Sequence, residues 1–378
     1  MKVALVHDHL AQDGGAEKVL QVFADMYSDA PIYTLLYEAE NANKNYHGKK
    51  IETSVIQKLP GGVKHYQWYL PFMPLAVEFF DLREYDLVLS DTSSFAKGVI
   101  TLPNTLHVCY CHTPTRYLWS DTHQYINELK YNKWMKKIIS LILTQIRMWD
   151  RLAADRVDVF IANSKTVQKR ITKYYRRDSV VIYPPVETER FSIAELNPIK
   201  QEKPYFLIGC RLAPYKRVDI TIEAFKALGD EYYLKIFGDG VDMKRLKKIV
   251  GDSKNIEFVG RISDEEKAEL YKNALAFINP QEEDFGITPV EAMASGRPVI
   301  AYRKGGATET IEEGKTGLFF DDQTSEAITD IVHKFYTKTK NGEYCWDSAA
   351  IRLHAETFSV ANFKRQITEF IANHYSKR

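Results

Sequence analysis

Short apolar runs alternate with longer helical patterns along the whole chain. In the first half, the runs that predict strands are 2–7, 86–90, 106–111, 158–163 and 180–184. In the second half they are 205–210, 232–238, 256–260, 275–280, 298–303 and 317–320. Many of these runs lack polar alternation, as parallel strands covered on both faces do. The repeated strand–helix order therefore predicts α/β architecture with two doubly wound, Rossmann-like domains.

The length of 378 residues is sufficient for two domains of ordinary size. A polar, proline-bearing stretch from Pro184 to Pro204 is the predicted linker. We therefore expect one domain over 1–186 and a second over 187–358. Two such domains facing each other would leave a cleft at the carboxyl ends of their strands, where sheets of this kind bind ligands.

Composition and charge narrow the classes of function. The formal net charge is +1 and charged residues are spread throughout, so no global field favours nucleic acid. No apolar run approaches the length of a membrane span. The N-terminal MKVALVHDHL is too short and acidic for a signal peptide and predicts a first strand. Four cysteines on or near apolar segments are typical of reduced thiols, so we expect a cytoplasmic protein.

Glycines and cations follow directly after predicted strands. Gly14 and Gly15 open a helical pattern after strand 2–7, where backbone N–H groups favour an anion, although an ordinary turn also fits. Arg211 and Lys216 follow strand 205–210. The bidentate guanidinium of an arginine and the compact ammonium of a lysine both suit a phosphate. Solvated surface cations are the alternative. Gly238 allows close backbone approach or forms a plain turn.

The stretch EEDFGITPVEAMASG, residues 282–296, contains two carboxylates with two interpretations. Structurally, Thr288 can cap a helix, Glu291 can complete a capping box, and Gly296 can end that helix. In that case Glu283 is a solvated loop acid. The other interpretation is a ligand site, because Glu283 lies between a strand and a helix on the ligand edge. The two interpretations of Glu291 are compatible.

His112 ends strand 106–111 and begins HTPTRYLWS, residues 112–120. Hydroxyls, Arg116 and aromatic rings are groups that a sugar pocket uses, whereas a structural histidine is the alternative. Cys109 and Cys111 suggest a metal site, but in a strand they point to one face and His112 to the other. We expect no metal there. His7 and His9, with Asp8 and Asp13 nearby, end another strand and rank below His112.

A basic and apolar helix is predicted over residues 128–149. Such a helix can lie in the plane of an anionic membrane, or it can be a core helix that exposes its lysines to water. A lipid-linked substrate would favour the membrane. The lysines are Lys130, Lys133, Lys136 and Lys137, and the apolar residues are Trp134, Met135, Ile138, Ile139, Leu141, Ile142, Leu143, Ile146 and Trp149.

The motifs in the second half resemble family 4 of the retaining glycosyltransferases, which have the GT-B fold. The resemblance is carried by GCRLAPYKRVDITIEAF (209–225), by Glu283 and Glu291 within EEDFGITPVEAMASGRPVIA, and by GGATETIEEGKTGLFF (305–320). The first half is more loosely similar, through GGAEK (14–18). CHTPTRYLW (111–119) is similar to bacterial O-antigen and polysaccharide mannosyltransferases of this family.

The resemblance implies roles for the candidate residues. Arg211 and Lys216 would stabilise the leaving diphosphate, and Glu283 would orient the sugar. Glu291 would accept hydrogen bonds from the ribose, and His112 would meet the sugar from the acceptor side. Segment 258–262 would flank the base, and Gly14 and Gly15 would close over the diphosphate. The implied substrate-binding residues are Gly14, Gly15, Arg211, Lys216, Gly238, Arg261, Phe285, Gly286, Ile287 and Glu291; the implied catalytic residues are Glu283, His112, Arg211 and Lys216.

The resemblance also implies an overall activity. The expected enzyme is a hexosyltransferase, with mannosyl transfer from GDP-mannose to a lipid-linked or polysaccharide acceptor of a bacterial surface glycan favoured over UDP-sugars. It would need no metal or other cofactor, and would contact the inner face of the membrane peripherally. The C-terminal segment 359–378 would pack on the first domain. A GT-B sugar-nucleotide epimerase and a non-catalytic nucleotide-sugar-binding subunit are the alternatives.

Overall fold

The computed structural model describes residues 1–11, 14–40, 42, 46, 48–194 and 203–376. The chain divides into an N-terminal unit, Met1–Pro185 with Phe363–Arg378, and a C-terminal unit, Val186–Asn362. These boundaries lie close to the predicted ones at 186 and 358. Part of the predicted linker, residues 195–202, lies outside the described residues.

The sheet of the N-terminal unit is entirely parallel, with strand order β3-β2-β1-β4-β5-β6-β7. The strands β2 and β3 have three residues each, too few for a recognisable apolar run, and were not predicted. The order of the strands reverses between β1 and β4. The strands are β1 (Val3–His7), β2 (Ile32–Thr34), β3 (Ile51–Thr53), β4 (Leu87–Thr92), β5 (Leu106–Cys111), β6 (Val159–Ala162) and β7 (Ser179–Val181).

The helices of this unit cover both faces of the sheet in a doubly wound arrangement. They are α1 (Gly15–Met26), α2 (Met73–Glu78), α3 (Thr122–Glu128), α4 (Lys133–Ala153) and α5 (Lys165–Tyr175), with the later α13 (Val360–Tyr375). Short 3-10 helices span Val55–Lys58, Tyr66–Phe72, Ala96–Gly98 and Ala154–Arg156. On α13, Phe363 packs its ring against Phe23 and Tyr110, which ties this helix to the core of the unit.

The prediction of one helix over 128–149 is wrong at its start. The helix α3 ends at Glu128, and α4 begins only at Lys133. The reason is a cap: the side chain of Asn132 accepts a hydrogen bond from the N–H of Met135 at 2.9 Å. Lys130 therefore lies between two helices. No helix in the described part of the chain is long and apolar enough to cross a membrane.

The C-terminal unit repeats the architecture with a six-stranded parallel sheet of order β10-β9-β8-β11-β12-β13, which reverses between β8 and β11. All six predicted strands are present. They are β8 (Tyr205–Gly209), β9 (Tyr233–Phe237), β10 (Ile256–Gly260), β11 (Phe277–Asn279), β12 (Val299–Tyr302) and β13 (Gly317–Phe320). The helices are α6 (Val218–Leu228), α7 (Met243–Val250), α8 (Asp264–Asn273), α9 (Ile287–Ala294), α10 (Ala307–Thr310), α11 (Ser325–Lys340) and α12 (Ser348–Glu356), with 3-10 helices Thr188–Arg190 and Pro214–Lys216.

Each unit has its own core of buried aliphatic and aromatic side chains. Because these chains come from strands and the inward faces of helices, the sheets are fixed and their carboxyl edges carry the loops. In a doubly wound sheet the crevice for ligands lies at the point where strand order reverses. That point lies beside β1 and β4 in one unit and beside β8 and β11 in the other.

Candidate functional site

The switch point of the C-terminal sheet holds a cation–carboxylate pair. Lys216 ends the 3-10 helix after β8, and Glu283 lies in the loop after β11. The ammonium of Lys216 donates a hydrogen bond to Oε1 of Glu283, and both side chains remain partly exposed. The pair was predicted as two separate ligand groups. The structure brings them into direct contact at the edge where a ligand would bind.

The environment keeps Lys216 charged. Burial alone would lower the pKa of its ammonium, but the charge and hydrogen bond of Glu283 outweigh that effect and raise it. An ammonium has three N–H donors. Lys216 can therefore hold Glu283 and an incoming anionic oxygen at the same time.

The backbone around Glu283 depends on glycine. Gly286 has φ of 90°, and a Cβ there would lie 3.1 Å from Oε2 of Glu283. The N–H of Gly306 donates to the carbonyl of Glu283 at 2.8 Å. A side chain on Gly305 would collide with the same carbonyl. The run GGATET thus supports the loop that presents Glu283.

Glu291 lies in the second turn of α9, and its partners were not predicted. Lys267 donates to Oε1 at 3.0 Å and the hydroxyl of Tyr271 donates to Oε2 at 3.1 Å. Burial alone would lower the pKa of Lys267, but Glu291 raises it. These two donors lie four residues apart on α8, a spacing that places them on one helix face.

The predicted capping box at this helix is wrong. Helix α9 begins at Ile287 rather than at Pro289, and its N-cap is Gly286, without a side-chain cap. Gly286 adopts a conformation that lets the chain enter the helix two residues early. Thr288 is therefore already helical, and Glu291 is too far along to reach back. The predicted end holds, since Gly296 follows the last turn with φ of 71°.

The remaining residues predicted in this unit lie at the same sheet edge. Arg211 is exposed and donates to the Tyr215 hydroxyl at 3.1 Å. Arg261 is exposed directly after β10. Phe285 is buried against Phe358, so its backbone rather than its ring is available to a ligand. Gly238 follows β9 with φ of 115°, and a Cβ there would lie 1.9 Å from the carbonyl oxygen of Cys210, so the turn requires glycine.

The switch point of the N-terminal sheet holds a buried chain of titratable groups. Asp91 accepts from Nε2 of His112 at 2.6 Å through one oxygen and contacts Nδ1 of His7 at 2.8 Å through the other. On the far side, Nε2 of His7 lies 3.8 Å from Glu17 in the first turn of α1. His112, which was predicted, is thus positioned by Asp91. His7 was ranked low, and Asp91 was missed.

The charges of these buried side chains shift their pKa values more than burial does. Burial would lower the pKa of His7, but its hydrogen bonds and charge interactions with Asp91 and Glu17 raise it to about 10. Burial would raise the pKa of Asp91, but His112 and His7 lower it. His7 is therefore an imidazolium at neutral pH, and Asp91 a carboxylate.

The glycines predicted as an anion site lie beside Glu17, at the end of this row of titratable side chains. Gly15 is the first residue of α1 and Gly14 its N-cap, with no side-chain cap. A Cβ on Gly14 would lie 2.9 Å from Oε2 of Glu17. Asp8 has a structural role, since it accepts from the N–H groups of Ser93, Phe95 and Ala96. Asp13 lies outside the described residues.

The polar groups of HTPTRYLWS mostly make interior contacts, contrary to a sugar pocket. Thr115 and the indole of Trp119 donate to Asp150 at 3.1 and 2.7 Å. Asp150 also accepts from the ammonium of Lys97, and both of these charged side chains are fully buried. Arg116 pairs with Asp121 on the surface. This motif anchors α4 to the sheet, and among its residues His112 remains the ligand candidate.

A metal site is not apparent in the described part of the chain. Its His, Cys, Asp and Glu side chains form no group of three or more that could hold an ion. Cys109 and Cys111 are buried free thiols in β5.

Two family models match consecutive parts of the chain. The model described as "Glycosyltransferase Family 4" matches residues 13–190, and "Glycosyl transferases group 1" matches residues 189–350. Together the matches contain Gly14, Gly15, Asp91, His112, Lys216, Glu283 and Glu291, whereas His7 and Asp8 precede them. The two matches together run from residue 13 to residue 350, and each unit of the chain thus contains a glycosyltransferase domain.

Curated relatives include several mannosyltransferases. Alpha-1,3/1,6-mannosyltransferase ALG2 of Dictyostelium discoideum is 28% identical over 284 residues, 64% of this chain and 65% of that protein. The ALG2 protein of Mus musculus is 27% identical, covering 79% of this chain and 76% of that protein. A Mycobacterium tuberculosis GDP-mannose-dependent alpha-(1-6)-phosphatidylinositol monomannoside mannosyltransferase is 29% identical over 48% of this chain and 53% of that protein. The chain thus spans less than two thirds of the first and third of these relatives.

Solved structures confirm the fold. Anabaena Alr3699/HepE, solved with UDP, superposes with a TM-score of 0.73 and 20% identity over 99% of this chain and 100% of that chain. Sucrose-phosphate synthase from Thermosynechococcus elongatus gives a TM-score of 0.74 at 15% identity, with both chains fully covered. The predicted GT-B fold is therefore confirmed.

Proposed function

We propose that this protein is a retaining hexosyltransferase that moves a mannosyl group from GDP-mannose to a lipid-linked or polysaccharide acceptor. The observation that carries the proposal is the Lys216–Glu283 pair beside Arg211 at the switch point of the C-terminal sheet. Relatives named as mannosyltransferases, one of them GDP-mannose-dependent, support the choice of sugar and base.

The C-terminal unit binds the donor in this proposal. A sugar nucleotide has an anionic diphosphate between two hydroxyl-rich ends. Arg211 and Lys216 hold the diphosphate, with the backbone N–H groups of Phe285, Gly286 and Ile287 at the start of α9. Glu283 contacts the sugar, and Glu291 the ribose. Arg261 and Gly238 lie at strand ends that flank the base.

The N-terminal unit has its own candidate ligand groups in this proposal. His112, fixed by Asp91, is a sugar ligand of this unit, and Gly14 and Gly15 offer backbone N–H donors to an anion. The similarity of CHTPTRYLW to polysaccharide mannosyltransferases and the exposed face of α4 support an acceptor of a bacterial surface glycan, met at the cytoplasmic face of the membrane.

The chemistry in this proposal is charge stabilisation. As the glycosidic bond breaks, negative charge grows on the diphosphate, and Arg211 and Lys216 stabilise it. The leaving phosphate oxygen takes the proton of the acceptor hydroxyl, which attacks from the same face of the sugar. These cations and the N-terminus of α9 supply the positive charge, so we propose that no bound metal or other cofactor is needed.

The test is a thermal-shift panel of GDP, UDP, ADP and dTDP and their sugar conjugates, on wild type and Lys216→Ala. A ligand at one hundred times its dissociation constant adds about 2.7 kcal/mol to stability. We expect a selective shift with GDP-mannose that Lys216→Ala loses. A melting-temperature shift with UDP or a UDP-sugar alone would support the same site but would change the proposed donor from GDP-mannose to a UDP-sugar.

Transfer to an acceptor separates an enzyme from a binding subunit. We expect a mannosylated product with wild-type protein, GDP-mannose and a lipid-linked oligosaccharide. Donor binding without product across a set of such acceptors would instead indicate a non-catalytic partner. Absence of any nucleotide shift would contradict the proposal at its first step.

A further inference from the structure

The helical segment 66–79 of the N-terminal unit turns a large apolar surface outward. It comprises the 3-10 helix Tyr66–Phe72, the helix α2 that continues it, and Phe79. Its outward stripe consists of Trp68, Phe72, Leu75 and Phe79, each between 49% and 69% exposed. The inward side chains of α2 are buried in the core. A surface helix ordinarily shows polar side chains to water, so this segment needs another explanation.

The charge pattern of segment 66–79 is also unlike a water-facing surface. Residues 65–77 contain no Asp, Glu, Lys or Arg. Glu78 is occupied, because it accepts from the indole of Trp149 at 2.8 Å and pairs with Arg156 at 2.6 Å. The nearest charges before the segment are the exposed Lys58 and Lys64. On the other side, Asp81 is paired with Arg83 and Glu84 with Lys2. An apolar stripe with lysines on its N-terminal border is complementary to an anionic lipid surface.

Helix α4 has an exposed face of the same kind. Trp134, Ile138 and Leu141 are 76%, 50% and 69% exposed, and Lys133 and Lys137 are exposed beside them. The inward faces of α4 and of segment 66–79 belong to one hydrophobic core. A protein-binding surface is typically depleted of lysine, whereas lysines with tryptophan at an apolar border are typical of membrane interfaces. A bilayer is therefore the partner that these features favour.

The segment also begins at the sheet edge that holds His112. The ring of Tyr66 packs on His9 with 5.6 Å between centroids, and His9 lies just after the end of β1. His112 lies at the end of β5 on the same carboxyl edge, joined to β1 through Asp91 and His7. A lipid surface in contact with Trp68 would thus lie beside the edge where an acceptor would be presented.

We propose that segment 66–79, together with the exposed face of α4, inserts into the headgroup region of an anionic phospholipid bilayer. This deepens the proposed function, since it gives the lipid-linked acceptor a location, but the binding itself does not depend on transfer. The aromatic and aliphatic side chains enter the headgroup boundary, and the neighbouring lysines contact the anionic headgroups.

The experiment is flotation of the full chain with vesicles of phosphatidylcholine alone or with added phosphatidylglycerol. We expect binding that increases with phosphatidylglycerol. A Trp68→Ser/Phe72→Ser/Phe79→Ser variant should lower the partition coefficient about tenfold or more, because it removes apolar area that leaves water on binding. Leu353→Ser, which removes an apolar side chain that is 68% exposed in the C-terminal unit, is the control and should bind like wild type.

A second variant is needed in case the triple variant does not fold. Trp134→Ser/Leu141→Ser changes the exposed face of α4 and should also lower binding, and the melting temperature of each variant reports its fold. Wild-type binding by both folded variants, or failure of wild type to bind, would overturn the proposal. Dimerisation of wild type that the triple variant loses, without vesicle binding, would assign the stripe to a second copy of the chain instead.

The donor panel separates this proposal from the proposed function. Vesicle binding that the triple variant loses supports the surface even if no nucleotide stabilises the protein. Conversely, a GDP-mannose shift with no vesicle binding retains the donor site and rejects the surface. The triple variant should keep the same GDP-mannose shift as wild type, because its changes lie in the other unit.

Discussion

The two switch points use charged side chains in opposite ways. In the N-terminal unit, Lys97 and Asp150 are each 1% exposed, and His7 and Asp91 are equally enclosed. In the C-terminal unit, Lys216 is 13% exposed and Glu283 is 20% exposed. Both sheets have the same topology at this edge. The fold therefore does not determine how far a charge is withdrawn from solvent; the loops that follow the strands do.

This difference separates two functions of charge. A buried ion pair has lost its water and depends on its partner, so it fixes the structure around it. A partly exposed pair such as Lys216–Glu283 can exchange water for a ligand at small cost. His112 is intermediate, since Asp91 holds one ring nitrogen while the ring remains partly exposed. We therefore expect damage to stability from changes in the first group and damage to transfer from changes in the second.

The largest effect is expected for Asp150→Ala. The change leaves the ammonium of Lys97 buried without its carboxylate and removes an acceptor from Thr115 and Trp119. Loss of one partner of a buried pair costs about 3–5 kcal/mol. Urea unfolding of the N-terminal unit should show this loss. Asp155→Ala, which breaks an exposed pair with Arg151, is the control and should change stability by less than about 1 kcal/mol.

A double variant sharpens the same prediction. Lys97→Met/Asp150→Leu replaces the pair by apolar side chains of similar size, and should recover much of the lost stability because no buried charge remains. Equal stability of wild type and Asp150→Ala would show that water reaches this pair.

Lys216→Ala and Glu283→Ala should each lower transfer by about 10²–10³-fold, the magnitude seen when one stabilising group for developing charge is removed. Their unfolding free energies should change by less than the about 3–5 kcal/mol expected for a fully buried pair, because both side chains keep some contact with water. Rates of product formation and urea unfolding measure the two effects. Lys235→Ala, at a surface pair with Glu257, is the control for loss of a lysine in the same unit. Near-wild-type turnover in either site variant would contradict the assignment.

The sequence was most informative where apolar runs are long and where charged residues directly follow predicted strands. Six apolar runs placed the C-terminal sheet, and Arg211, Lys216 and Glu283 were all expected at its ligand edge. Three-residue strands such as β2 carry too little pattern to be found. The Lys97–Asp150 pair was missed because its members are 53 positions apart and meet only through tertiary packing. Asp91 had a signal that was not used: it lies on the strand next to β1, in register with His7.

The pH dependence of stability tests whether His7 is charged. Its pKa rises from 6.5 to about 10 on folding, so its contribution is fully present below pH 6.5 and is lost as the pH rises through 10. His7→Gln should therefore cost about 1.5–3 kcal/mol at pH 7, the range for hydrogen bonds to charged groups, and less at pH 10. The groups that face His7 are Glu17 and Asp91, and the charges of His112 and His7 lower the pKa of Asp91.

The measurement is the difference in unfolding free energy between wild type and His7→Gln at each pH, since titration of other groups cancels in it. A difference that does not change between pH 7 and pH 10 would show that His7 is neutral in the folded protein. His333→Gln, which removes an exposed histidine bonded to Tyr232 in the C-terminal unit, serves as the control for loss of a histidine.

The smallest effect is expected at the helix start where the sequence was misinterpreted. Thr288 lies inside α9 and its side chain does not cap the helix, so Thr288→Ala should change stability by no more than about 0.5 kcal/mol. At α8, Ser263 forms a complete capping box with Glu266, and Ser263→Ala should cost about 1 kcal/mol. Urea unfolding of the C-terminal unit compares the two directly. An equal loss of stability at Thr288 and Ser263 would show that Thr288 caps α9, as the sequence predicts. The expected difference would show that α9 starts directly after Gly286. Glu291 is then available for its contacts with Lys267 and Tyr271.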